Sequence, residues 1–241
     1  MLIKKIHKFY GSVCKQKEYK MKKLFLVFLA AAAISAHSFA AEFILSPTIG
    51  FSNTSSIGIA VAQEGSHTGD RETSKMYFNH MPVGITLGLV TDKGFTFMVN
   101  NDFSPIGKGT MKLEDDSGNL KLDKNTVFQQ SVIFGYTFKL INQKLFINIG
   151  SGFIWGAGRI KPYSFESHGY LPENMPLVTF GIPVQAGAQF FFTKNIGINL
   201  MVTDALGFAV GNLGKNSNDD RVYSIGFSYM GTVKVGPVFK F

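Results

Sequence analysis

From residue 41 onward, apolar side chains fall on every second position, the period of a β-strand with two unlike faces. Phe43, Leu45, Ile49 and Phe51 alternate with Ser46, Thr48 and Gly50, and Ile85, Leu87 and Leu89 alternate with Gly84, Thr86 and Gly88. The same pattern recurs over Phe95–Val99, Phe128–Leu140, Leu145–Trp155, Val178–Phe192, Ile196–Val202 and Tyr223–Phe241. Nothing of helical period competes with it. The pattern predicts eight antiparallel strands.

The connections are of two kinds. Three are tight turns, at Thr91-Asp92-Lys93-Gly94, Asn142-Gln143-Lys144 and Thr193-Lys194-Asn195. Four are long and polar, at roughly residues 54–75, 105–126, 161–176 and 211–221. Short turns at one end and long loops at the other are the signature of an up-and-down transmembrane barrel. A soluble barrel or sandwich also alternates, but its outer face carries Lys, Glu and Arg. Here the non-apolar face is Gly, Ser, Thr, Asn and Gln, which suits a crowded lumen where each ion needs a partner. The apolar face is left for lipid. Aromatics cluster at two levels, Phe95, Tyr136, Phe138, Phe192 and Phe241 near the turns, and Phe51, Tyr77, Phe103, Phe128 and Trp155 toward the long loops. Two aromatic belts fit two membrane interfaces. The expected fold is all-β, one eight-stranded transmembrane barrel over 41–241, with short periplasmic turns and long extracellular loops.

Residues 1–40 break the pattern. Lys22 and Lys23 precede an apolar run from Leu24 to Ile34, followed by Ser38-Phe39-Ala40. This reads as a cleaved secretory signal peptide with Met21 as its start and Ala40 as the peptidase site. Eight of the 24 basic residues and one of the 16 acidic residues lie there, so residues 41–241 carry 16 against 15, a balance of +1. The basicity of the whole chain is therefore no argument for a nucleic-acid partner. Cys14, the one cysteine, lies in the leader, so the barrel has no disulfide framework or thiol nucleophile.

The leader, the eight alternating strands and the terminal Phe241 resemble small outer-membrane β-barrels of the OmpW/OmpX type, and also a treponemal outer-membrane barrel family. The resemblance implies an outer-membrane location reached by secretion across the inner membrane, and Phe241 as the signal read by the barrel-assembly machinery. It also implies a narrow conduit for small, apolar molecules. The alternatives are a surface barrel whose loops bind a host or matrix ligand and, more distantly, a lipid-modifying enzyme. In-strand Pro47, Pro82, Pro183 and Pro237 depart from the pattern and predict bulges or shortened pairing.

No catalytic, metal or cofactor site is expected, and no enzymatic activity. Glu166-Ser167-His168 lies in a long loop, and His67 with Asp70 is a weak metal pair. Gly150-Ser151-Gly152 lies inside a strand with no helix after it, which excludes a dinucleotide loop. The inward glycines, among them Gly84, Gly135, Gly150 and Gly226, either let a tight barrel curve or leave room in the lumen. Alternation points Lys234, Lys139, Asn100, Gln129, Gln185 and Asn199 into the lumen. Lys234 is expected beside Ser46, Thr48, Asn199 and Met201, with Glu42 and Asp102 nearer the two ends. It then needs lumen water, or a reach to Glu42. Inward Ser131→Arg is expected to be milder than outward Val132→Arg.

Overall fold

A computed structural model describes residues 41–64, 67–105, 107–113, 120–162, 175–215 and 221–241. The proposed leader, Met21, Ala40 and the Glu166-Ser167-His168 run lie outside these residues. The described chain is strands and turns, in ten segments: β1 Ala41–Glu64, β2 His67–His80, β3 Val83–Thr91, β4 Phe95–Ser104, β5 Gly107–Leu113, β6 Leu120–Leu140, β7 Leu145–Pro162, β8 Met175–Phe191, β9 Ile196–Lys215 and β10 Arg221–Lys240. They form eight wall strands, because β2 and β3 continue one another past Met81-Pro82, and β4 and β5 past Pro105. Proline donates no backbone hydrogen bond and interrupts the ladder at both points.

Neighbouring walls pair antiparallel in chain order, and β10 returns to pair with β1. Phe43 and Phe241 exchange both backbone hydrogen bonds at the lower end of this seam, 3.1 and 2.9 Å. No edge is left open there. Pro47 and Pro237 face each other across the seam, and ladder pairs lapse between Leu45↔Phe239 and Ile49↔Val235. The Ser46 hydroxyl instead donates to the Pro237 carbonyl at 2.8 Å. Near Pro183 the β7–β8 pairs lapse between Ser151↔Val184 and Ile154↔Gly181, and the Ser151 hydroxyl donates to the Pro183 carbonyl at 2.7 Å. The prolines shorten pairing, as their missing N–H requires.

The tight turns fall where the pattern put them. Gly94 closes the first at φ +88°, a conformation side chains disfavour. The long connections are largely not loops. β1 runs on to Glu64 and β2 starts at His67, so 54–64 and 67–75 are wall, and so are 107–113 and 120–126. Lys112 and Lys121 accordingly sit on strands. Ladder hydrogen bonds hold these extensions, which need no apolar face. Walls of 24, 21, 20 and 20 residues in β1, β6, β9 and β10 far exceed the ~9–11 that cross a bilayer.

Facing follows the alternation. Phe51, Phe153, Leu206 and Phe241 are 55–70% exposed on the outside, while Asn100 and Lys234 are 1% and 3% exposed within. An apolar surface of this extent belongs against lipid. Outward polar groups among these apolar ones satisfy one another: Asn53 donates to Asn79 (2.7 Å), Gln130 to Asn101 (2.6 Å), Trp155 to Gln130 (3.0 Å) and Tyr229 to Asp204 (2.7 Å).

Candidate functional site

The lumen is stacked in layers. At the turn end Glu42 receives Lys139 at 2.8 Å and Lys240 at 3.3 Å. The Lys240 ammonium lies 4.7 Å from the ring centres of both Phe146 and Phe191. Those rings, with Ile44, Val90 and Val238, make an apolar plug. Small inward residues around it let two phenylalanines meet inside so narrow a barrel.

The middle layer is polar and closely paired. The Asn100 amide donates to Ser131 (2.8 Å) and Gln185 (2.9 Å), while its oxygen accepts from Thr86 (2.7 Å). Asn199 donates to Ser46 at 3.0 Å, and Gln129 reaches the Met230 sulfur at 3.2 Å. Lys234 reaches across the lumen to Asp102, its ammonium 3.0 and 2.8 Å from the two carboxylate oxygens. Both side chains are enclosed, 3% and 8% exposed. Each leans over a glycine. A Cβ on Gly84 would lie on the Asp102 carboxylate, and one on Gly50 would lie 2.8 Å from Lys234 Cγ.

This overturns the sequence expectation for Lys234. Its neighbour on β1 is Gly50, not Ser46 or Thr48, and its partner is Asp102, not lumen water or Glu42. Glu42 is already engaged by two other lysines. Asp102 sits higher on its own wall than Lys234 does, and the tilt of the strands brings the two together. Sequence reasoning left Asp102 out of the site. The available signal was a glycine opposite each charge, Gly84 on one wall and Gly50 on the other.

The remaining candidate residues are all placed inward: Asn100, Gln129, Gln185 and Asn199 in the polar layer, Lys139 at the rim. Gly135 and Gly150 face each other with backbones too close to admit a Cβ, so glycine there serves curvature rather than open space.

Above the polar layer the lumen turns apolar. His80 and Ser104 hydrogen-bond at 2.7 Å at the boundary, and the His80 ring stacks on Phe78. Beyond them Phe78, Met76, Met111, Leu122, Ile160 and Leu177 point inward together. A cavity of about 20 Å³ remains beside Met76, Met111 and Ala209, and one of about 10 Å³ beside Phe78 and His80. Each has room for about a water molecule. The adjoining wall is interrupted by Pro105, between the ladder pairs Ser104↔Val127 and Gly109↔Leu122, where a Cβ on Gly107 would meet Asn125 at 3.2 Å, and Pro82 interrupts the next wall at the same level.

Among the described residues no three of His, Cys, Asp and Glu gather to hold a metal. His67 and Asp70 lie on β2, with side chains outside the description.

Residues 39–241 match the sequence profile of the family described as "Domain of unknown function (DUF2715)". No curated protein matches the sequence. The fold is similar to that of the outer membrane protein OprG from Pseudomonas aeruginosa, with a TM-score of 0.59 and 12% identity over 84% of this chain and 97% of that one. Ail, the attachment invasion locus protein of Yersinia pestis, aligns with a TM-score of 0.38 and 16% identity over 82% and 98%. The closed ring of eight walls and the likeness to OprG make the architecture that of eight-stranded outer-membrane β-barrels.

Proposed function

The chain belongs to the DUF2715 family, and from its barrel we propose a non-enzymatic outer-membrane conduit that admits small apolar molecules and sends them sideways into the bilayer. One observation carries this reading: an apolar chamber stands over a lumen sealed by the Lys234–Asp102 pair, beside a wall interrupted by Pro105. A solute entering from the long-strand end, placed outside the cell, cannot continue through the polar layer without displacing paired charges. An apolar one gains by staying among Phe78, Leu177 and Ile160 and leaving between the walls beside Pro105 into lipid.

The chamber is filled at rest. Met76 and Met111 line its cavity, and their unbranched thioether chains shift at low cost to make room. Ions find neither a path nor a partner, so the conduit is silent to them. The test is permeation of a small alkylbenzene into vesicles holding the refolded barrel. Wild type should accelerate it, and Ala209→Phe, which fills the cavity, should abolish the acceleration. Equal rates for empty, wild-type and Ala209→Phe vesicles would sink the proposal.

The wall extensions favour a second role in surface display. Barrel passage alone does not require walls twice the span of a bilayer.

A further inference from the structure

The chamber above the polar layer is not apolar on every side. Ser74 on β2, Ser56 on β1, and Ser224 and Ser228 on β10 share the inward face of three adjacent walls. Met111, Ile160 and Leu177 face them from β5, β7 and β8. The Ser74 and Ser224 hydroxyls meet across β1 and satisfy one another at 2.9 Å. Ser228 takes no part in this. It is 3% exposed, yet among the described residues its hydroxyl has no hydrogen-bond partner. Its ladder neighbours are Ser56 on β1 and Gly207 on β9, and Gly207 offers no side chain. A hydroxyl enclosed in this way gives up its hydrogen bonds to water without replacing them, a cost that native interiors seldom carry.

The place of Ser228 in the chamber gives that cost a use. It lies between the two cavities: Gly226, two residues before it, lines the larger, and Met230, two residues after it, lines the smaller. Ser56, its partner in the ladder, lines the larger cavity as well. Leu177 borders both, so the two become one elongated space when that side chain and the methionines shift.

We infer that Ser228 and Ser56 form a hydrogen-bonding site for the passing solute, and that the preferred solute is an apolar molecule bearing one neutral hydroxyl group. The inference rests on the conduit reading above and narrows it. A hydroxyl suits a pair of serines because each group both donates and accepts. The lining excludes an ion. Among the described residues bordering the two cavities His80 is the one titratable side chain, and it is engaged by Ser104, so a charged solute would leave water uncompensated. A second polar group on the same molecule would face Met111, Ile160 or Leu177 and find no partner. A solute with no hydroxyl still enters, but it leaves Ser228 unpaired.

The test compares benzyl alcohol with ethylbenzene, two solutes of one shape that differ by a hydroxyl in place of a methyl. Each is titrated into the refolded full chain in micelles, with isotope-labelled methionine methyl groups, and the Met76 and Met111 signals are followed by magnetic resonance. Partition into micelles is common to all variants and cancels when they are compared. Both solutes should shift the two signals in the wild type. Ser56→Ala with Ser228→Ala should weaken benzyl alcohol binding about fivefold and leave ethylbenzene binding unchanged or tighter. Ser228→Ala alone should show the same selective loss, smaller in size. Heat-modifiable migration on gels confirms that each variant is folded. Benzyl alcohol affinity equal in wild type and both variants, or an equal loss for the two solutes, overturns the inference and leaves the conduit standing. If neither solute moves the Met76 and Met111 signals, the chamber admits no solute and both readings fall together.

Discussion

Replacing Asp102 by asparagine removes one charge from a pair sealed at mid-lumen. In the folded barrel the Lys234 ammonium lies 2.8 and 3.0 Å from the two carboxylate oxygens, at 3% and 8% exposure. At an effective dielectric constant of about 20, attraction at that distance is on the order of 6 kcal/mol. Desolvating two ions offsets most of it, because each loses several kcal/mol of hydration. The pair is therefore close to neutral against an apolar replacement, yet each half is costly without the other. Asp102→Asn leaves Lys234 enclosed and uncompensated, and the expected loss is about 3–5 kcal/mol of unfolding free energy. Lys234→Met should lose a similar amount by stranding Asp102. The double variant Asp102→Leu with Lys234→Met should recover most of either loss. Urea unfolding in micelles measures all of these, followed by fluorescence of Trp155, the one tryptophan. Single variants costing less than about 1 kcal/mol, or a double variant no better than the singles, would refute the pairing argument.

Gly84→Val should prevent Asp102 from adopting its pose, because the new Cβ occupies the carboxylate position. Folded yield should fall well below that of Gly88→Ala, whose added carbon meets Ile44 at 3.3 Å. Similar heat-modifiable fractions for the two would contradict the close approach. Val132→Arg puts a charge on the lipid face near mid-wall and should cost ~2–4 kcal/mol. Ser131→Arg, milder on the sequence pattern, enters a filled layer beside Asn100 and should also destabilise; an unfolding curve matching wild type would show spare lumen. Phe241→Lys should reduce membrane-inserted barrel without reducing secreted chain, read as heat-modifiable protein in membrane fractions, and unchanged insertion would exclude an assembly role. A single cysteine replacing Lys112 should label with a membrane-impermeant maleimide on intact cells, and one replacing Lys194 should not. The reverse labelling would invert the orientation.

Much of the wall was legible along the chain. Whether Val233 and Phe241 face lipid and Lys234 faces the lumen depends only on parity, since side chains of a strand alternate. The tight turns were local too, because Gly94 marks a position that needs positive φ. Wall lengths were misread at 54–75 and 105–126. There polar residues dilute the alternation, while backbone pairing continues without it.

The lumen was a different matter. That Lys234 meets Asp102, 132 residues away, depends on how far successive walls are staggered around the ring. Stagger belongs to the closed barrel, and no single strand encodes it. The outer wall shows the same origin: Lys75, Lys112 and Lys121 become neighbours only when β5 is set between β2 and β6. Period two in the sequence determined which face each residue takes. Closure and tilt in three dimensions decided which residues meet, because contact across a barrel is set by register summed over every strand between them.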